Sequence, residues 1–260
     1  MVLNMEISSR DDIIGSSSAP YQNHLANSYE EFTRSYGVGH HSLDNYLAEV
    51  TGNFYSASTG DCTPSASCEW SDPSVATQLS AAAIPWKAYI EDLDGGSGYD
   101  VNHNPFAYLT NVDQSKVVAS GPGTANDSAM LSDLNSPTTP DFVFLTPDIN
   151  DDGHNTGVAY GDRYLSRLIP EIQATSWYRQ GGTIVLTYDE GNDAGQGQGE
   201  YTTGAGNNVL TLVISAGTAG KGQNASYVNH FGVLRGIEAA YGLPYLGQAA
   251  NAANGQLPLR

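Results

Sequence analysis

The chain is poor in three things, and each shortage closes off a set of functions. Lysine and arginine number 10 against 28 acidic side chains, a formal charge of −18. Such a surface repels nucleic acid and anionic membranes, which excludes nucleic acid as a partner. A phosphorylated substrate then has to be drawn in by a local positive centre, and a metal ion supplies one. The plain alternative for the acidity is solubility. Cysteine occurs twice, as Cys62 and Cys68 in DCTPSASC. That spacing does not fit a zinc knuckle. The turn formers between the two favour a small disulfide loop and an oxidising compartment. Long apolar runs are missing as well, so no stable membrane insertion is expected. Met1 is followed almost at once by a strand-like segment with no signal peptide, and the expectation is a mature exported form, secreted or periplasmic. At 260 residues the chain is expected to be one domain, residues 1–260, and a monomer.

What the chain does have is alternation. Strand-like runs at Val2–Met5, Pro85–Glu91, Phe142–Thr146, Thr183–Tyr188 and Val209–Ser215 are separated by helical patterns. Those patterns lie near Gln22–Ser28, Leu43–Thr51, Val75–Ala83, Ala159–Ala174 and Phe231–Tyr241. Residues 113–140 read mostly as loop, with a short helix near Ala129–Leu134. The order predicts an α/β fold, a mostly parallel central sheet with helices on both faces.

Candidate chemistry gathers where strands end and helices begin. Ser42, in GHHSLDNY, stands directly ahead of a helical run closed by Gly52. Free backbone N–H groups there favour an anion, whether a serine alkoxide or a phosphate oxygen, although most serines so placed are only N-caps. Glu6 ends the first strand, and open α/β sheets place ligands at that edge. Asp189 and Glu190 end the strongest strand; adjacent carboxylates repel unless a cation sits beside them, so the pair suits a hard divalent metal. TPDINDDGH, with Asp152 and His154, follows a buried strand, and His230 stands at another helix start. His103 and Asn104 lie in a proline-bound loop. Lys87 lies inside a strand, where it either snorkels outward or meets a phosphate.

In the order Glu6, Ser42, histidines, acid pair, the constellation resembles the bacterial phosphoesterase family of the alkaline-phosphatase superfamily, which contains phospholipases C and acid phosphatases. The likeness runs nearly the whole length, from MEISSRDDIIG and APY through GHHSLDNYLAEVTG, WKAYIED, HNPF, TPDINDDGH and LTYDEG to NHFGVLRGIEAAYGLPYLG. It implies an alkaline-phosphatase-like fold and Ser42 as nucleophile. It implies one divalent metal (Ca, Mg, Mn or Zn) held by Glu6, Ser42, Asp189 and Glu190. Lys87, His103, Asn104 and Asp152 line the substrate pocket, and His154 or His230 protonates the leaving group. The substrate is expected to be a small-molecule or lipid phosphate ester, hydrolysed through a phosphoserine intermediate. Loops at 53–73, 94–125 and 191–207 would form the pocket walls.

The sequence departs from the family at several points. Ile7 stands where the family has a metal-ligating Asn, Ser8 and Arg10 replace its usual His and Tyr, and His41 and Asp44 replace prolines around the nucleophile. A homologue of the same fold that binds phosphate or metal without turnover is therefore the alternative. A carboxyl-ester serine hydrolase is a third reading, weakened by the absence of a GxSxG elbow.

Overall fold

Along Val2–Met5 (β1) successive side chains go to opposite sides of a sheet: Val2 joins one apolar core, Leu3 and Met5 the other. Phe142–Thr146 (β5) divides in the same way, with Phe142 and Phe144 on the first side and Val143 and Leu145 on the second. These strands are apolar on both faces because both faces are covered. The computed structural model describes residues 1–55, 60–123, 126–192 and 207–259. Its remaining strands are Glu30–Tyr36 (β2), Trp86–Ile90 (β3), Val117–Ala119 (β4), Ile184–Tyr188 (β6), Leu212–Ile214 (β7) and Gly222–Asn229 (β8). They form one eight-stranded sheet in the order β4-β3-β5-β1-β6-β7-β2-β8. Only β7 runs antiparallel to its neighbours; every other pair is parallel.

The helices are Arg10–Ile13 (α1), Pro20–Ser28 (α2), Ser42–Thr51 (α3), Val75–Ala81 (α4), Ser128–Asp133 (α5), Val158–Gln173 (α6), Ser176–Arg179 (α7) and His230–Tyr241 (α8). Leu43, Leu47 and Val50 of α3, Leu79 of α4 and Leu234 of α8 fill the first core. Ile13, Leu25, Met130, Leu165, Leu168 and Trp177 fill the second, from α1, α2, α5, α6 and α7. The α/β expectation with helices on both faces therefore holds. Cys62 and Cys68 are joined in a disulfide. Among the described residues, no helix is long and apolar enough to cross a membrane.

Three strands escape the periodicity argument. β2 opens with Glu30 and Glu31, which read as surface yet are buried; Glu31 is 2.6 Å from Arg10 and Glu30 3.2 Å from Lys221. β8 is a polar sheet edge and β4 only three residues long. The run 209–215 shortens to Leu212–Ile214, and residues ahead of it make only isolated bridges, Ser9 with Val209 and Tyr36 with Asn208. Because all but β7 point one way, the segments after β1, β2, β3, β5, β6 and β8 emerge along one edge, where such sheets place ligands.

Candidate active site

Glu6 follows β1 and is 1% exposed. Its Oε2 accepts a hydrogen bond from Ser42 Oγ at 3.1 Å, and its Oε1 accepts from Tyr46 OH at 2.5 Å. Ser42 is the first residue of α3, with His41 as N-cap. The serine is therefore committed to Glu6 rather than to capping its own helix. Tyr46 lies one turn further along α3 and also stacks on the His103 ring, centroids 5.6 Å apart.

His103 bridges two carboxylates: Nε2 is 3.4 Å from Glu6 Oε2, and Nδ1 is 3.3 Å from Asp152 Oδ2. One main-chain bond joins Glu6 to Asp152, and the Thr146 hydroxyl anchors His103. Glu6 N donates to Asp152 O, and Thr146 Oγ1 donates to His103 O. Asp189 follows β6, and its Oδ1 accepts from Ile7 N at 3.0 Å. Ile7 has φ +39°, a left-handed conformation that is a genuine outlier for a β-branched residue and costs on the order of 1–3 kcal/mol. The residue that departs from the family thus serves through its backbone, which turns to hold Asp189.

No lysine or arginine enters this cluster among the described residues. Burial first, then the charges of Asp189 and Asp152, push the Glu6 pKa well above the usual carboxylate range. Burial also raises Asp152, against the pull of His103. For His103 burial opposes protonation, but the Asp152 carboxylate outweighs it and holds the imidazole above its ordinary value. Asp152 Oδ2, Asp189 Oδ2 and His103 Nδ1 are buried without a hydrogen bond among the described residues. Glu6, His103 and Asp152 each offer a ligand atom within 4.8 Å of the others. Hard oxygen donors with one imidazole, starved of positive charge, fit a divalent cation.

The other predicted residues divide. Glu190 Oε2 meets His40 Nδ1 at 2.8 Å, and burial, then Asp189, Asp61 and Asp44, push its pKa up to about 10. His40 belongs to the loop before Ser42, so Glu190 is engaged there. His154 is exposed at the rim, its ring 5.7 Å from that of His103. His230, expected to meet an anion, is instead 2% exposed; its Nε2 lies 2.5 Å from Asp189 O, and burial lowers its pKa. Asn104 Nδ2 donates to Tyr99 OH at 3.2 Å.

Lys87 is not brought to the cluster. It lies near the start of β3, away from the ligand edge, and its ammonium is 2.5 Å from Asp133 of α5. Asp133 accounts for its charge. Of the expected pocket walls, residues 56–59, 124–125 and 193–206 lie outside the described residues.

Residues that pattern alone did not single out hold the site in shape. Asn45 Oδ1 accepts from Val38 N and Gly39 N, and its Nδ2 donates to Gly39 O and His41 O, fixing the loop ahead of Ser42. Asp61, beside the disulfide, accepts from Leu43 N at 3.2 Å and lies 3.3 Å from His41. Glu49 of α3 is buried, accepts from Asn4 Nδ2 at 2.6 Å, and is pushed by burial up to about 8. A second buried acidic group follows β3, β4 and β5: Glu91, Asp127, Asp148 and Asp151, with Arg167 bound to Asp127 at 3.1 Å.

The Phosphoesterase family model matches residues 14–244. The phosphatidylinositol-3-phosphatase of Mycobacterium tuberculosis is 26% identical over 248 residues, 92% of this chain and 75% of that protein. The phosphate-repressible acid phosphatase of Penicillium chrysogenum is 22% identical over 237 residues, 85% of this chain and 54% of the fungal enzyme. The chain thus spans about half the length of that fungal relative. Among solved structures, a protein of the alkaline phosphatase superfamily from Vibrio parahaemolyticus superposes with TM-score 0.68 at 13% identity, covering 96% of this chain and 69% of that one. The C-terminal periplasmic domain of EcEptC from Escherichia coli, in complex with zinc, gives 0.59 at 12% identity, covering 94% and 82%. At such identities the likeness is one of fold, and the fold is alkaline-phosphatase-like.

Proposed function

The chain belongs to the Phosphoesterase family, a family of phosphoric ester hydrolases, and on that premise we propose that it hydrolyses phosphate esters with Ser42 as nucleophile and a divalent cation as cofactor. The observation that carries this reading is the Ser42–Glu6 hydrogen bond inside a buried group of acids that contains no lysine or arginine among the described residues. Glu6, His103, Asp152 and Asp189 would hold the cation, with Ser42 beside them. When bound, a divalent cation there offsets charge on the phosphoryl oxygens and favours the ionised form of a nearby hydroxyl.

The chain's own groups supply the rest. Ser42 Oγ donates a hydrogen bond to Glu6 Oε2, and Asn45 fixes the loop that sets the direction of Oγ. Ser42 Oγ gives up its proton to solvent and attacks phosphorus in line; the bond to the ester oxygen breaks as His154, the exposed histidine at the rim, gives that oxygen a proton. Water then attacks the phosphoserine and releases phosphate. Positioning and charge carry most of the rate, as phosphoryl transfer requires. His154 is preferred to His230 because His230 is engaged by the Asp189 main-chain oxygen.

The substrate class is a small or lipid phosphate ester, and the mycobacterial relative's name makes a phosphoinositide the first to try. The Cys62–Cys68 disulfide supports an oxidising compartment. A panel of phosphomonoesters, phosphodiesters and phosphoinositides, assayed with and without chelator, tests the reading. Metal or phosphate binding without turnover of any ester would favour the non-catalytic alternative, and hydrolysis of carboxyl esters insensitive to chelator would favour a serine hydrolase.

A further inference from the structure

A buried polar chain runs behind the candidate metal ligands, from β1 through α3 and α8 to the end of β6. Asn4 Nδ2 donates to Glu49 Oε2 at 2.6 Å. Glu49 Oε1, which has no hydrogen-bond partner among the described residues, faces His230 Nδ1 at 3.9 Å. His230 Nε2 reaches Asp189 O at 2.5 Å. Asn4, Glu49, His230 and Asp189 are each no more than 2% exposed.

The direction of these contacts follows from donor chemistry. A carbonyl only accepts, so His230 carries its proton on Nε2, and a neutral ring then leaves Nδ1 as an acceptor. The atom facing it, Glu49 Oε1 at 3.9 Å, lies beyond hydrogen-bond length and complements an acceptor Nδ1 only as the protonated carboxyl that burial favours. Asp189 has Ile7 N on Oδ1 and His230 on its main-chain oxygen, so its free Oδ2 is aimed by both together. Glu49 lies on the helix that begins with Ser42, so the chain also ties the nucleophile's helix to the acid at the end of β6.

We infer that Glu49 is a positioning residue: it orients His230, which pins the Asp189 main chain and so points the Asp189 carboxylate at the cation. The inference rests on the proposed role of Asp189 as a ligand. Partners that orient metal ligands typically contribute 10–100-fold to affinity, on the order of the effect expected here.

The test titrates Mn²⁺ alone into the metal-free full chain by calorimetry, for the wild type, Glu49→Met and Glu49→Gln. The imidazole ¹⁵N signals of His230 are recorded in the same three proteins without metal. Methionine keeps the length and fills the space without a polar tip. Glutamine keeps an oxygen for Asn4 and offers an N–H to Nδ1, so it should restore the contact. Glu49→Met is expected to weaken Mn²⁺ binding by roughly tenfold or more and to move the His230 signals, whereas Glu49→Gln stays within about threefold of wild type. In a His230→Gln background the Glu49→Met loss should largely vanish, a non-additivity that general loosening of the core would not give. Equal affinity in all three proteins, or a glutamine variant as impaired as the methionine one, would overturn the inference. If the wild type takes up no Mn²⁺, the metal reading itself fails. The histidine signals then decide the linkage alone, and identical spectra in the three proteins would end it. Should Glu49→Met not fold, Glu49→Gln against His230→Gln still completes the comparison.

Discussion

Ser42 Oγ lies 3.1 Å from Glu6 Oε2, and the two come from segments separated by the whole of α1, α2 and β2. The contact joins the start of a helix to the end of the central strand and puts a hydroxyl at the lip of a buried acidic cluster. Each consequence below is open to measurement.

Ser42→Ala should lower the rate of hydrolysis of a chromogenic phosphate ester by roughly a thousandfold or more, as loss of a nucleophile does. Circular dichroism should be unchanged, since the hydroxyl makes no helix cap. Wild-type turnover by the variant would remove Ser42 from the mechanism.

Chelation should abolish activity, and a divalent cation added back should restore it. His103→Ala and Asp152→Asn should each raise the concentration of cation needed for half-recovery. Activity that survives exhaustive chelation would instead leave His103 as a purely internal bridge between two carboxylates.

Asn45→Ala breaks four hydrogen bonds in the loop ahead of Ser42. At about 0.5–1.5 kcal/mol each, the loss should be roughly 2–6 kcal/mol in denaturant unfolding. The fall in kcat should exceed any rise in KM, because the loop sets the direction of Oγ; a variant as active as wild type would show that the loop holds itself.

The acidic group after β3 gives the folded state a pH dependence of definite sign. Burial, then Asp127 and Asp151, push Glu91 from 4.5 to about 10. The folded protein therefore keeps a proton that the unfolded chain releases above pH 4.5. That stabilisation is complete below the unfolded value and is lost as pH rises towards the folded one, with a slope of at most about 1.4 kcal/mol per pH unit. Glu91→Gln should flatten the fall of Tm between neutral and alkaline pH. Parallel curves for wild type and variant would show that Glu91 holds no proton.

Lys87→Met should leave ester hydrolysis unchanged and cost at most about 1 kcal/mol of stability, because a half-exposed ion pair with Asp133 contributes little. A large loss of activity would return Lys87 to the substrate pocket.

Much was legible from residue order alone. Apolar runs such as Phe142–Thr146 and Ile184–Tyr188 read as strands covered on both faces, and acids placed just after them fall at the ligand edge of a parallel sheet. Glu6, Asp152 and Asp189 were singled out that way, and Ser42 by its place at a helix start. The polar strands were not, because Glu30 and Glu31 look solvent-facing until Lys221 and Arg10 are seen beside them.

The sequence by itself determined the fold class, the edge of the sheet where chemistry gathers and the family to which the chain belongs, since these follow from local periodicity and from motif order. Only the tertiary structure decided which side chains share a site. It gave Lys87 to Asp133, Glu190 to His40 and His230 to the back of Asp189, and it drew His103 in between Glu6 and Asp152. The reason is physical: direction and burial at the end of a strand depend on what packs there from distant segments, and no local pattern carries that information.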